Sequence, residues 1–185
     1  MTRLDLSAER LREVLDYAPE TGFFTWKPRL ETGRGAKIFN ARYAGKRAGC
    51  PDAHGYIQIM VDRSNYKAHR LAWLWVHGVL PADKEVDHRD RHPANNAISN
   101  LRLANRQQQA CNTGARKPGH PKGCHWSLRD KKWSAWIYVA GRKRSLGAFK
   151  RLEDAQAARA GAEAKYHGEF AYSARATAEP KRRAA

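Results

Sequence analysis

The chain has 185 residues, room for one ordinary domain or two small ones. Lysine and arginine number 35 against 18 acidic side chains, and the pI is near 10.2, so the expected partner is a polyanion. Duplex DNA or RNA is the default because neutralising phosphates releases condensed counterions, and the lack of any long apolar run argues against a membrane protein.

In chain order, Ser7 is an N-cap for a short helix over 8–15, with Arg10, Arg12 and Glu13 facing water. The stretches 22–27 (GFFTWK) and 55–62 (GYIQIMVD) alternate roughly as strands. Residues 67–77 (KAHRLAWLWVH) read as a helix stopped by Gly78, with Leu71, Leu74 and Trp75 on its buried face. After a turn at Pro81 come a strand over 84–88, a polar loop, a strand over 100–103 and a polar helix over 105–112. The run NTGARKPGHPKG then collects Gly and Pro as a linker does, and a boundary is expected at 113–122. Charge shifts at the same place: residues 1–111 hold 18 basic and 12 acidic side chains, and residues 112–185 hold 17 and 6. Beyond it, 123–127, 132–140 and 142–149 read as three strands turned at Gly141, followed by an Ala-rich helix over 150–168. Leu152, Ala155, Ala158, Arg159, Ala162 and Tyr166 form that helix's inner stripe. The tail 173–185 is basic and expected to be disordered. Cys50, Cys111 and Cys124 suit neither a disulfide framework nor a paired zinc site and are read as reduced. The N-terminus lacks a signal-peptide core, so the expected compartment is the cytoplasm.

The chemistry concentrates in VDHRDRHPANNAISNLR, from Val86. Asp87 offers a hard oxygen ligand to a divalent metal, and His88 has a side chain that can take a proton from water near neutral pH. Strand alternation sends these two neighbours to opposite faces unless a bulge re-aims one of them. Asn95, Asn96 and Asn100 can hold the loop through bonds to its own backbone. His69 is read as a buried core histidine rather than a ligand, and Arg70 and His92 as possible phosphate contacts. A zinc site from His120, Cys124 and His125 has poor spacing.

The ordered string Tyr66-Lys67-Ala68-His69-Arg70-Leu71-Ala72-Trp73, Gly78 to Pro81, Asp87-His88, Asn95-Asn96 and Asn100-Leu101-Arg102 resembles the HNH homing endonucleases of phages and mobile introns, over roughly residues 10–112. The resemblance implies a ββα-metal unit. In it Asp87 is a metal ligand, His88 the general base, and Asn100 the brace of the loop that keeps the imidazole in position. Mg²⁺, or another divalent ion such as Mn²⁺, is the implied cofactor, and the implied products carry 3′-hydroxyl and 5′-phosphate ends. That family places Asn or His on the following helix as a second ligand. Here the position is Gln109, with Asn112 one turn later, so an impaired nuclease that only binds and regulates DNA is the alternative.

The second part interleaves Trp126, Trp133 and Trp136 with Arg129, Lys131, Lys132, Arg142, Lys143 and Arg144. Its Gly-x-x-Trp start, Trp-x-Ala-x-Ile, Gly-Arg-Lys-Arg, Leu-Gly-x-Phe and His-Gly-Glu-Phe-Ala resemble the APETALA-two/ethylene-response-factor DNA-binding domain over nearly all of 122–172. That resemblance implies DNA contacts from Arg129, Trp133, Trp136, Arg142 and Arg144, with Trp126 as support.

The expected architecture is therefore α+β. A ββα-metal HNH nuclease unit with an N-terminal α/β extension fills 1–112. A linker spans 113–122. A small three-stranded antiparallel sheet packed on one helix occupies 123–172, before the basic tail 173–185. The expected partner is double-stranded DNA, bound by a monomer, with no membrane association.

Overall fold

The computed structural model describes residues 6–112 and 121–171; the tail and most of the expected linker lie outside the described residues. The chain divides into two compact units, one ending at Ala104 and one starting at Asn105. The division falls before the last helix of the expected nuclease part rather than after it.

The first unit begins with α1 (Ala8–Val14), capped by the Ser7 hydroxyl accepting from the Arg10 N–H at 3.1 Å. Strand β1 (Leu15–Ala18) pairs antiparallel with β2 (Phe23–Trp26). Helix α2 (Arg34–Tyr43) follows where sequence periodicity suggested nothing regular. Strands β3 (Cys50–Pro51), β4 (Ile57–Val61) and β5 (Ser64–Lys67) form a small antiparallel sheet in that order. α3 (Ala68–His77) ends at Gly78 as expected. Strand β6 (Glu85–His88) then pairs antiparallel with β7 (Leu101–Ala104). The core between these elements contains Leu11, Leu15, Phe24, Ile59 and Leu71, each essentially fully buried. A side chain of this size contributes roughly 1.5–3 kcal/mol when buried.

The β4–β5 hairpin shows why part of this was not readable locally. Asp62 and Arg63 both adopt positive φ, 47° and 66°, the backbone a two-residue primed turn demands. Asn-Gly or Asp-Gly is the usual signal, and Arg63 is not. A remote contact helps hold the turn: the Arg10 guanidinium of α1 donates Nε to Asp62 Oδ2 at 2.9 Å and Nη2 to Oδ1 at 3.0 Å.

The second unit contains α4 (Arg106–Asn112), β8 (Cys124–Ser127), β9 (Lys132–Val139), β10 (Arg142–Phe149) and α5 (Leu152–His167). At the start of α4, the Gln108 N–H donates to Asn105 Oδ1 at 2.9 Å while Gln108 Oε1 accepts from the Asn105 N–H at 2.8 Å, a reciprocal cap. The three strands form one antiparallel sheet, β10-β9-β8, with α5 packed on one face, as the sequence predicted. Ala135, Ile137 and Ala155 are fully buried between sheet and helix. Arg159 is buried too, donating Nη2 to Glu163 Oε1 at 2.8 Å and Nη1 to the Trp136 carbonyl. A Cβ at Gly123 would lie 1.9 Å from that guanidinium, so the strand entry has space only for glycine.

Candidate active site

Strands β6 and β7 pair in register without a bulge: Asp87 faces Arg102, and His88 faces Leu101. Alternation therefore operates. Val86 and His88 turn toward the interior, with His88 only 5% exposed, while Asp87 stays partly accessible.

The ring of His88 is held on several sides. Its Nε2 lies 3.2 Å from Asn96 Oδ1. The Asn96 amide donates Nδ2 to the Ala94 carbonyl, which turns its oxygen toward the ring. In the tautomer that protonates Nε2, this contact is an N–H···O bond to Asn96 Oδ1. The ring of His69 meets that of His88 edge-on at 4.9 Å, and Tyr56 lies 5.9 Å from His88 and 5.5 Å from His69. Burial lowers the His88 pKa below the ordinary imidazole value, although the Asn96 bond and the nearby Asp90 and Asp87 carboxylates oppose the shift. Burial pushes His69 down further, to about 3, with the like-charged neighbours His88, Arg70 and Lys67 adding to it. His69 is thus a neutral core imidazole, as expected, and its buried Nδ1 has no hydrogen-bond partner among the described residues.

Asn100 braces the loop through its backbone and Asp90 rather than by touching the ring. Asn100 donates Nδ2 to Asp90 Oδ1 at 2.9 Å and to the Asn95 carbonyl at 2.8 Å, and its Oδ1 accepts from the Asp90 N–H at 3.0 Å. Asp90 completes the loop by accepting from the His92 N–H and from Asn95 Nδ2, both at 2.8 Å. Burial tends to raise the Asp90 pKa, but the hydrogen bonds from His92, Asn95 and Asn100 outweigh it and hold the carboxyl below its usual range. The side chain that grips the imidazole is Asn96, which the sequence listed only among several loop asparagines. Asn96→Ala removes the bond that opposes burial and is expected to lower the His88 pKa further, which an NMR titration of the ring measures.

The N-terminal extension anchors this loop. Tyr17 of β1 donates its hydroxyl to the Asn96 carbonyl at 2.7 Å, and the Ile98 N–H reaches the Pro19 carbonyl at 2.9 Å. Gly22, at φ 74°, leaves no space for a side chain: a Cβ would meet the Asn96 carbonyl carbon at 2.2 Å.

Asp87 has a partner that the sequence reading did not assign. Arg102, opposite it across the sheet, donates Nε and Nη2 to Asp87 Oδ2 at 3.0 and 2.9 Å. The Arg102 side chain is 3% exposed and that of Asp87 16%. Cross-strand register alone brings them together, since 15 residues separate them.

A hard divalent cation fits the donor chemistry here. Asp87 is a partly accessible carboxylate, and Mg²⁺ characteristically takes one or two protein carboxylates and completes its shell with water and phosphate oxygens. Among the described residues no group of three or more His, Cys, Asp or Glu could hold a metal, which is unlike a closed structural zinc site. Cys124 is buried and His125 exposed on the opposite face of β8, and His120 lies outside the described residues, so these do not form a described zinc cluster. Gln109 is half-buried on α4, in the second compact unit, and Asp87, His88 and Asn100 belong to the first. Arg70 is half-buried on α3.

Register in the second sheet sorts the expected DNA contacts. Trp126 pairs with Trp133, Ala135 with Gly147, Ile137 with Arg144, and Val139 with Arg142, so these side chains share the face covered by α5. Trp133 packs into that core beside Leu146 and Phe149, and its ring lies 5.4 Å from that of Trp126. Arg144 lies over Tyr166 of α5 at 5.5 Å. On this face Trp133 is half-buried, whereas Arg142 and Arg144 remain exposed. The uncovered face instead carries His125, Ser134, Trp136, Tyr138 and Lys143, with the Lys143 ammonium 4.3 Å from the Trp136 ring centroid. Arg129 is exposed in the β8–β9 turn.

Against known proteins, the family model for HNH endonucleases matches residues 66–111. Protein 3.8 of Escherichia phage T7 is 30% identical over 93 residues, which cover 48% of this chain and 77% of that protein. A solved structure described as DNA binding and cleavage by the HNH homing endonuclease I-HmuI is 20% identical, with a TM-score of 0.37. That overlay covers 52% of this chain and about half of the neighbour, 49%, and is too loose to carry an argument. The gripped His88 beside Asp87 lies inside the matched segment, and the chain belongs to the family of phage T7 Protein 3.8 and carries an HNH endonuclease domain.

Proposed function

We propose that this chain is a metal-dependent DNA endonuclease whose second unit selects where it cuts. The observation that carries the reading is His88: a buried neutral imidazole, oriented by Asn96 through Nε2 and flanked in sequence by the carboxylate Asp87. The imidazole takes a proton from water as the water oxygen bonds to phosphorus and the bond to the 3′ oxygen breaks; that oxygen takes a proton from solvent water, leaving 3′-hydroxyl and 5′-phosphate ends. Asn96 Oδ1 and the Asp90 and Asp87 carboxylates favour the imidazolium that results. Asn100 keeps the loop closed around it. Asp87 would hold Mg²⁺ or Mn²⁺. Such an ion, when bound, supplies charge stabilisation at the phosphate and the departing oxygen.

The second unit serves as a DNA reader of the APETALA-two/ERF type. Trp136 and Lys143 on its uncovered face and Arg129 at its turn contact the duplex, and Arg70 clamps a phosphate beside the scissile bond. The protein acts as a monomer inside a bacterial or phage-infected cell.

A random-sequence duplex library incubated with the full chain and Mg²⁺ or Mn²⁺ is expected to yield discrete cuts that share a sequence. Tight duplex binding without cutting under any divalent ion would overturn the enzyme reading. It would leave a DNA-binding regulator, the reading that Gln109 in place of Asn or His favours.

A further inference from the structure

The N-terminal extension carries a cationic surface that neither the HNH match nor the second unit includes. From Thr32 to Pro51 the chain has five basic side chains, Arg34, Lys37, Arg42, Lys46 and Arg47, and no acidic one. Helix α2 runs through this segment and is secured from its inner side. Asn40 accepts from the Arg29 N–H at 2.7 Å and donates to the Arg29 carbonyl at 2.9 Å. Phe39 meets Trp26 edge-on at 5.5 Å, and Ala36 is buried. Past the helix the chain is clipped to β2: the Trp26 N–H reaches the Lys46 carbonyl, the Gly45 N–H the Trp26 carbonyl, and the Ala48 N–H the Phe24 carbonyl, at 2.8 to 3.0 Å. Three guanidiniums lie on aromatic rings, Arg29 over Phe39 at 4.0 Å, Arg47 over Phe23 at 3.6 Å and, more loosely, the exposed Arg42 over Tyr43 at 5.5 Å.

The outer face is different in kind. Arg34, Lys37 and Arg42 are exposed and have no ion pair among the described residues. The stability of the fold does not require three like charges on one short helix, since they only repel one another. From Arg34 to Arg42 the helix rises about 12 Å, the axial length over which one strand of B-DNA carries three to four phosphates. The side chain best suited to reading a base edge, Asn40, is already committed to Arg29.

We propose that the outer face of α2, with Lys46, is a second DNA-contact surface that tracks the phosphate backbone without reading sequence. It rests on the proposed function, since it adds affinity and register for the duplex that the nuclease unit cuts. Rigidity gives it value: cations fixed on an anchored helix lose little freedom on binding.

The test compares the full-length wild type with Arg34→Gln/Lys37→Gln/Arg42→Gln on duplexes of scrambled sequence from 0.05 to 0.3 M salt. The triple variant is expected to bind roughly tenfold or more weakly at 0.15 M, and to lower the slope of log affinity against log salt by about two to three. Its cutting rate at saturating DNA should be unchanged. The substitutions are at exposed positions, and an unaltered melting temperature checks folding. An unchanged salt slope overturns the proposal while the nuclease reading stands; failure of the wild type to bind any duplex overturns both. Ile38, 56% exposed among these cations, suits an anionic membrane as well. Loss of binding to phosphatidylserine vesicles in Ile38→Gln, with the duplex salt slope of the triple variant equal to that of wild type, assigns the face to lipid and also overturns the proposal.

Discussion

His88→Ala is expected to lower the single-turnover cleavage rate by about 10²- to 10⁴-fold, the usual loss on removing a positioned general base, with duplex affinity essentially retained. The wild-type rate should rise with pH through the His88 ionisation and then level off. Burial holds that ionisation below the ordinary imidazole value of about 6.5, so the acidic limb should fall below that pH. The stability linkage has the same sign. An unfolded chain protonates its histidines near 6.5, whereas folded His69 resists protonation until about 3 and folded His88 is shifted in the same direction. The unfolded state therefore binds more protons in this window. This contribution to stability is complete above pH 6.5 or so and declines by up to about 1.4 kcal/mol per pH unit for each such histidine as the pH falls. Melting curves at each pH separate loss of fold from loss of base. His69→Phe should flatten the acid dependence of melting. A rate that is indifferent to His88, or a limb well above 6.5, would remove His88 from the reaction.

The second large effect is expected at Asp87, and it comes by two routes. Asp87→Ala deletes the proposed metal ligand, and it also removes the carboxylate to which the Arg102 guanidinium, 3% exposed, donates. Breaking a buried pair costs about 3–5 kcal/mol. Arg102→Leu should cost a similar amount by removing that donor. Asp87→Leu/Arg102→Leu should recover much of the loss, because no buried charge remains. Urea unfolding of the four proteins measures this, and additive losses in the double variant would show that the two side chains are not coupled. The consequence for enzymology is direct. Asp87→Asn keeps an oxygen for Arg102 and removes the charge a metal needs, so it is the variant whose lost cleavage reports on chemistry rather than on folding.

Much of the molecule was legible from local pattern. Periodicity placed α1, α3 and the strands at β2, β4, β6 and β7, and the second part's three strands and helix came out close to their observed limits. Glycine and alternation signals act over a few residues, and those segments carry them. Helix α2 was missed because Gly33, Gly35 and a mostly polar sequence mask its one buried flank. It exists because Asn40 and Phe39 find partners on the β2 side. Strand β5 was missed because its turn depends on Arg10, 52 residues from Asp62.

The candidate site divides the same way. By itself the sequence determined that an adjacent carboxylate and imidazole end a short strand, that an asparagine-rich loop follows, and that the chain's cations suit a phosphate backbone. Only the tertiary structure decided who holds what. Asn96 rather than Asn100 grips His88, because Tyr17 and Gly22 of the extension fix the backbone beside it. Arg102 neutralises Asp87 because antiparallel pairing sets them opposite each other. Trp133 belongs to a core while Trp136 and Lys143 face outward, because strand parity fixes which side chains share a face and only the docking of α5 fixes which face is covered. Residue type and spacing state what chemistry a side chain can perform; its partner is set by register and by long-range packing, which short sequence windows do not contain.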